Sequence, residues 1–247
     1  MDGHAHTTAA MIVIGNEILS GKVDDSNSPF LARTLRAAGV SLERVLVIPD
    51  DVPTISATVA DYAARYDLVF TSGGVGPTHD DMTIAGIATA FDCEVVHAPE
   101  LRALVEKHIG HDAASPYFKM AEVPDGAELV DGGSSNFPTV LMRNVYILPG
   151  IPEIFEKKVA ALAGRFQTRP YFLRQVLVNE NEARIAEYLN ATLEAFPELM
   201  LGSYPKLSHP EYSVRLTLES KDESYLDSAL DDLVGRMPAE YIVRIER

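Results

Sequence analysis

A glycine-rich turn between a predicted strand and a predicted helix constrains the fold of this chain more than any other feature. Residues 71–81 read TSGGVGPTHDD and follow the mostly apolar segment 67–70, which predicts a buried strand. Residues 82–91 then show the apolar spacing of a helix. A tight turn that leads from a buried strand into a helix is typical of open α/β sheets, which bind ligands at the carboxyl ends of their strands.

The residues of this turn point to a phosphate ligand and a metal ion. Gly73, Gly74 and Gly76 let backbone N–H groups approach an anionic group closely, and the helix that follows adds its positive dipole end. Asp80 and Asp81 would repel a bound phosphate unless a metal bridged them, so they predict a divalent cation. In the alternative interpretation, the turn only connects a strand to a helix, and one of the two aspartates caps that helix.

Strands and helices alternate through the first two thirds of the chain. Ser28 followed by Pro29 predicts the start of one helix, which Gly39 ends. Apolar runs and helical spacing predict the other elements, which are strands at 10–14, 45–48, 68–71 and 144–148 and helices at 54–65, 82–91, 100–109 and 152–162. The alternation predicts the α/β class, as a three-layer sandwich with a mostly parallel sheet.

Acidic side chains follow three of these strands. The carboxyl ends of parallel strands meet at one edge of the sheet, so we expect them to lie close together there; they are Glu17, Asp50, Asp51, Asp80 and Asp81. The turn at Pro149 and Gly150 is expected on the same edge. Two structural alternatives stay open: Asp50 could cap the next helix, and Glu17 could be a surface carboxylate without a functional role.

The pattern changes after Pro170. Strands are predicted at 172–178, 199–203, 212–218 and 241–245, with helices at 182–193 and 225–233. The order β-α-β-β-α-β predicts a small α+β domain of the ferredoxin-like type. The expected domains are therefore residues 9–168 and 170–247.

Composition excludes several classes of function. The net charge of −15 disfavours nucleic acid as a partner, because such binding needs a basic surface. No apolar run reaches the roughly 18 residues of a membrane span, and residues 1–8 lack the apolar part of a signal peptide. The single cysteine, Cys93, fits a reducing compartment. We therefore expect a cytoplasmic protein with no membrane or nucleic-acid partner.

Several segments resemble one known family. GNEILSG at 15–21, Asp50, and GGVGPTHDDMT at 73–83 resemble the molybdopterin-binding fold shared by MogA, MoaB and the N-terminal domain of CinA, over about residues 9–165. RNVYILPGIPE at 143–153 resembles the N-terminal domain of eukaryotic FAD synthase, and the tail is similar to the extra domain of the CinA branch. The loop GGSSNFP at 132–138 departs from CinA's glycine-threonine-alanine-proline-glycine segment.

The resemblance implies chemistry at a phosphoanhydride next to adenosine. The FAD synthase domain is associated with metal-dependent FAD hydrolysis, CinA relatives with ADP-ribose pyrophosphatase activity, and MogA relatives with adenylate transfer to molybdopterin. We expect a metal-dependent pyrophosphatase acting on FAD or ADP-ribose. The alternatives are a molybdopterin adenylyltransferase and a non-catalytic module that binds a pterin or a nucleotide. Because oligomers are common in the family, a homo-oligomer is also expected.

Matched residue by residue, the resemblance implies Asp50 and Asp81 as the catalytic acids. The expected cation is Mg²⁺ or another divalent ion, with K⁺ as a further candidate. Its predicted ligands are Asp81, Asp80, Asp50 and Glu17. The predicted substrate-binding residues are Asn16, Thr71, Ser72, Gly73, Gly74, Gly76, Pro77, Thr78, Ser134, Pro149 and Gly150.

Overall fold

The computed structural model describes residues 7–109, 115–130, 137–206 and 208–246. The chain divides into two compact units, and the division falls between Thr168 and Arg169.

The first unit is built on a six-stranded sheet. Its strands and those of a small separate sheet are β1 (Thr8–Ile14), β2 (Ser41–Ile48), β3 (Leu68–Ser72), β4 (Val95–His97), β5 (Glu122–Pro124), β6 (Glu128–Val130), β7 (Thr139–Met142) and β8 (Val145–Leu148). The six-stranded sheet has the order β2-β1-β3-β8-β7-β6, and β4 pairs with β5. Strands β2, β1, β3 and β8 run parallel, whereas β7 and β6 are antiparallel to their neighbours.

Within the described residues, α-helices alternate with these strands. They are α1 (Asn16–Leu19), α2 (Asn27–Ala37), α3 (Val52–Arg65), α4 (Thr83–Ala90), α5 (Pro99–Ile109) and α6 (Pro152–Leu162). Because side chains alternate along a strand, β1 contributes to two cores. Ile12 packs in a core with Ile55 of α3 and Ile87 of α4. Met11 packs in the other with side chains of α2 and α6. The predicted three-layer α/β sandwich is confirmed.

Several details differ from the sequence prediction. The hairpin β6–β7 and the short sheet β4–β5 were not predicted, because their strands have only three or four residues each and lack a clear period. Helix α2 begins at Asn27, one residue before Ser28, and its first amides pair with the Asp25 carboxylate. The start predicted from Ser28-Pro29, with Ser28 as the capping residue, is therefore wrong, and Ser26 occupies the N-cap position.

The second unit has the predicted order of elements. They are β9 (Phe172–Val178), α7 (Glu182–Ala195), β10 (Met200–Pro205), β11 (Val214–Ser220), α8 (Glu223–Arg236) and β12 (Ile242–Glu246). The strands form an antiparallel sheet in the order β10-β11-β9-β12, which is the ferredoxin-like arrangement. Asn181 and Asp222 cap α7 and α8 with their side chains. The buried face of β11, including Leu216 and Leu218, packs in one core with both helices.

Candidate functional site

The glycine-rich turn lies at the carboxyl end of β3 and leads into α4. Gly73 and Gly74 have φ angles of +103° and +65°, which strongly favour glycine. A Cβ at Gly73 would collide with the carbonyl oxygen of Ile14, and one at Gly74 would collide with Oγ1 of Thr83. The backbone of β1 and the start of α4 therefore approach the turn too closely for any other residue type.

The turn is tied down on both sides. The Gly73 N–H donates to the carbonyl of Leu148 (3.2 Å), so this amide is engaged within the sheet. Thr83 donates from Oγ1 to the Gly73 carbonyl (2.8 Å) and from its N–H to the Gly74 carbonyl (3.0 Å). Across residues 7–109, 115–130, 137–206 and 208–246, no hydrogen bond engages the N–H groups of Gly74, Val75 and Gly76. Successive open amides of this kind are a feature of backbone segments that bind anions in other proteins.

Asp81 is folded back into the turn. Its Oδ2 accepts hydrogen bonds from the N–H of Thr78 (2.8 Å) and from Oγ1 of the same residue (2.5 Å). A Cβ at Gly76 would lie 2.8 Å from this oxygen, so the carboxylate sits against the backbone of the turn. The N-cap of α4 is Met82, and the side chain of Asp81 does not cap the helix. Asp80 is exposed, and its pKa is lowered, mainly by the Thr78 hydroxyl.

The two aspartates after β2 have different roles. Asp51 caps α3, since its Oδ2 accepts from the Thr54 N–H (3.0 Å) and hydroxyl (2.6 Å), and these bonds lower its pKa. Asp50 reaches instead to the turn after β1, where its Oδ2 accepts from the Asn16 N–H (2.8 Å). The alternative in which Asp50 caps this helix is therefore wrong, and Asp50 lies at the edge that carries the glycine-rich turn.

Glu17 lies in α1, the single helical turn that follows Gly15. Its carboxylate is folded over Gly15, where a Cβ would collide with it. Glu17 also lines a cavity of about 90 Å³, together with Asp24, Asp25, Ser72 and Gly150. The glycine turn thus has an acid-lined cavity on its β1 side.

The proposed cation ligands do not form a ready-made cluster. Among the residues that the structure describes, no group of three or more His, Cys, Asp or Glu side chains is placed to hold a metal ion. Mg²⁺ commonly binds through one or two carboxylates together with phosphate oxygens and water. Asp81, which lies against the glycine turn, could supply one such carboxylate. The assignment of Asp80, Asp81, Asp50 and Glu17 to one metal stays a prediction.

The remaining predicted substrate-binding residues differ in their exposure to solvent. Thr71 and Ser72 are buried at the end of β3, beneath the turn, whereas Thr78 and Gly150 are exposed. A Cβ at Gly150 would lie 3.3 Å from Cα of Gly73, so the two turns touch. Ser134 lies outside the described residues.

The structure adds two residues that sequence reasoning missed. Lys119 donates from Nζ to the Thr78 carbonyl (2.6 Å), which places a positive charge beside the glycine turn. Asn27 donates from Nδ2 to Oγ of Ser72 (2.9 Å) and to the Gly150 carbonyl (2.9 Å). No local pattern marks Lys119. Asn27 precedes the Ser28-Pro29 pair that attracted the prediction of a helix start.

Comparisons with known proteins identify the family of this chain. Residues 10–169 match the family described as "Probable molybdopterin binding domain". This chain belongs to that family. Residues 170–246 match the domain described as "FAD synthase, middle domain". The predicted resemblance to both groups is confirmed.

Individual relatives give the same result. A protein of Archaeoglobus fulgidus is 33% identical, over 89% of this chain and 93% of its own length. A probable FAD synthase of Caenorhabditis elegans is 32% identical over 92% of this chain, but over only 49% of its own length. This chain therefore spans about half the length of the FAD synthases it matches. The crystal structure of CinA, of unknown function, from Thermoplasma acidophilum superposes with a TM-score of 0.60 at 30% identity, covering 65% of this chain and 98% of that one.

Among the described residues, no helix has the length and apolar character needed to span a membrane.

Proposed function

We propose that this chain is a metal-dependent hydrolase that cleaves a phosphoanhydride next to adenosine, with FAD or ADP-ribose as substrate. The observation that carries this proposal is the set of three successive amides at Gly74, Val75 and Gly76, flanked by the Asp81 carboxylate and by Lys119. Backbone amides and a cation suit phosphate oxygens, and a carboxylate beside them suits a bridging metal. Relatives named as probable FAD synthases support a flavin nucleotide as the substrate.

The reaction is a hydrolysis at phosphorus. Water adds its oxygen to one phosphorus, and the anhydride P–O bond breaks. FAD then gives AMP and FMN, and ADP-ribose gives AMP and ribose 5-phosphate. Asp81, with help from Asp50 or Asp80, would hold a divalent cation, which would offset the negative charge of the phosphates.

The residues of the chain have separate tasks in this proposal. The amides of the glycine turn bind and orient the phosphates, and Lys119 adds positive charge where negative charge develops. Asp81 is held in place by its two bonds from Thr78, so it is preorganised before a ligand arrives. Asp50, on the neighbouring turn, orients the water or accepts its proton.

A second function is favoured by the acid-lined cavity. Glu17, Asp24 and Asp25 line it on the β1 side of the glycine turn. Carboxylates accept hydrogen bonds from amino and ring N–H groups, so this cavity suits a pterin. In this alternative, the same phosphate site serves adenylate transfer to molybdopterin or simple pterin binding.

The test is turnover of defined dinucleotides. The whole chain is incubated with FAD, ADP-ribose and other dinucleotides, with and without Mg²⁺, Mn²⁺ or Co²⁺, and AMP is measured. Metal-dependent AMP release from FAD or ADP-ribose supports hydrolysis. AMP transfer that requires molybdopterin supports the alternative, and binding without turnover rejects both enzymes.

Asp81→Asn provides the decisive variant, and Asp67→Asn provides its control. Asp67 accepts hydrogen bonds from the Thr8 N–H and hydroxyl through one oxygen, as Asp81 does from Thr78, but it lies at the amino end of β3. Turnover should fall about 100-fold or more in Asp81→Asn, because the cation that Asp81 would help to hold is worth several kcal/mol of charge stabilisation in the transition state. It should remain close to wild type in Asp67→Asn.

A further inference from the structure

Asn27 joins three segments that surround the candidate site. Its Nδ2 donates to Oγ of Ser72, directly before the glycine turn, and to the carbonyl of Gly150 in the turn after β8. The Ser72 hydroxyl lies 3.5 Å from the Pro149 carbonyl, to which it donates. One amide group therefore connects the start of α2 with the ends of two neighbouring strands.

The position of Asn27 is itself fixed. Its N–H and that of Ser28 both donate to Oδ1 of Asp25, each at 3.0 Å. Asn27 is only 6% exposed. The backbone at Asn27 is thus held in place, and the burial of the side chain leaves its amide little room to move away from its two acceptors.

Stability alone explains this residue poorly. Oδ1 of Asn27 is buried with no hydrogen-bond partner among the residues that the structure describes. A buried polar atom without a partner costs free energy, so an amide is a costly choice for packing at this position. The two hydrogen bonds of the Asn27 amide instead hold the turns at Ser72 and Gly150 at a defined spacing. Both turns line the acid-lined cavity.

We propose that Asn27 is a positioning residue, which sets the distance between the glycine turn and the Pro149–Gly150 turn so that the amides of Gly74, Val75 and Gly76 can receive a phosphate. This inference rests on the proposed function for the identity of the ligand. The structural part, that Asn27 orders both turns, does not.

Asn144 offers a matched control. Its Nδ2 also donates to two backbone carbonyls, those of Ala63 (3.0 Å) and Tyr66 (2.8 Å), and so joins the start of β8 to the end of α3. These contacts lie at the opposite end of the strands from the glycine turn. Variants of Asn144 therefore lose a comparable pair of hydrogen bonds but leave the geometry of the site unchanged.

The experiment compares Asn27→Asp and Asn27→Ala with the same two changes at Asn144. The carboxylate that Asn27→Asp introduces keeps the shape of the asparagine side chain but has no N–H to donate. Calorimetry measures the affinity for ADP-ribose and FAD with EDTA present, so that no metal-dependent hydrolysis consumes the ligand. Because one hydrogen bond to a charged phosphate is worth about 10-fold to 100-fold in affinity, we expect a loss of that size for the Asn27 variants and less than about threefold for the Asn144 variants.

Amide hydrogen exchange tests the positioning role without a ligand. The Gly73 N–H, which donates to the Leu148 carbonyl just before the Pro149–Gly150 turn, reports on both turns. Its exchange should become faster in the Asn27 variants and stay at the wild-type rate in the Asn144 variants. Ser72→Ala, which removes one of the two acceptors and creates little space, should raise exchange at the same amide. It keeps the test decisive if an Asn27 variant does not fold.

The outcomes separate this inference from the proposed function. If the wild type binds neither ADP-ribose nor FAD, the proposed function fails while the exchange data still decide the role of Asn27. If exchange of the Gly73 N–H is the same in the Asn27 variants as in wild type, or if their affinity falls no more than that of the Asn144 variants, Asn27 has only a structural role and the inference is overturned.

Discussion

Replacing Gly74 with alanine should destabilise the protein more than the same change at Gly126. Both glycines have positive φ angles, +65° and +83°. Each substitution therefore carries a backbone cost of about 1–2 kcal/mol for a residue with a Cβ. At Gly126 there is no atom within 4 Å of the new Cβ, so the cost ends there. At Gly74 the Cβ collides with Oγ1 of Thr83, which donates to the buried carbonyl of Gly73.

The additional cost at Gly74 follows from that hydrogen bond. Moving Thr83 away leaves buried polar groups without partners, at about 1–3 kcal/mol. With a urea m-value of about 2 kcal/mol/M, this excess corresponds to a difference in unfolding midpoint of about 0.5–1.5 M between the two variants. Urea unfolding, followed by circular dichroism, measures it. Equal midpoints with unchanged m-values would refute the reasoning that the start of α4 closes tightly on the glycine turn.

Three further predictions concern charge and domain organisation. Burial lowers the pKa of Lys158 from 10.5 to about 8, so the unfolded chain holds one more proton than the folded chain between about pH 8 and 10.5. The free energy of unfolding of wild type relative to Lys158→Met should therefore rise with pH in this window. A difference in urea titrations that stays constant with pH would contradict this. Lys119→Ala should weaken ADP-ribose binding by about 10-fold while Lys119→Arg retains most of it, and equal calorimetric affinities for all three proteins would remove Lys119 from the site. A chain that ends at Gln167 should remain folded and bind ADP-ribose with Mg²⁺, and a folded but non-binding truncation would show that the second unit supplies part of the site.

Much of the fold could be predicted because its signals are local. The apolar run of β3 and the helical spacing after Met82 lie next to each other in the chain, and so does the β-α-β-β-α-β pattern after Pro170. The hydrophobic periodicity within such a segment largely determines its secondary structure. The hairpin β6–β7 escaped prediction because strands of three and four residues offer too few repeats to show a period.

From the sequence, neighbouring acids could be predicted as candidates for the site, but their separate roles could not. Asp50 and Asp51 follow the same strand, and the sequence makes both candidates for the site. In the structure, Asp51 bonds within its own helix start, whereas Asp50 crosses to Asn16, 34 residues away in the chain. A local cap is visible in sequence patterns, but a crossing contact depends on which strands become neighbours.

The amino-acid sequence by itself determined the α/β class, the strand-to-helix turn with its three glycines, and the edge of the sheet that carries this turn. Tertiary structure alone decided which amides of that turn are engaged and which are open, because the Gly73 N–H is taken by Leu148 of a strand 75 residues further along the chain. It also decided the place of Asn27, whose partners are 45 and 123 residues away. Hydrogen bonds between such distant segments form only after the strands have packed side by side, so no local pattern specifies them.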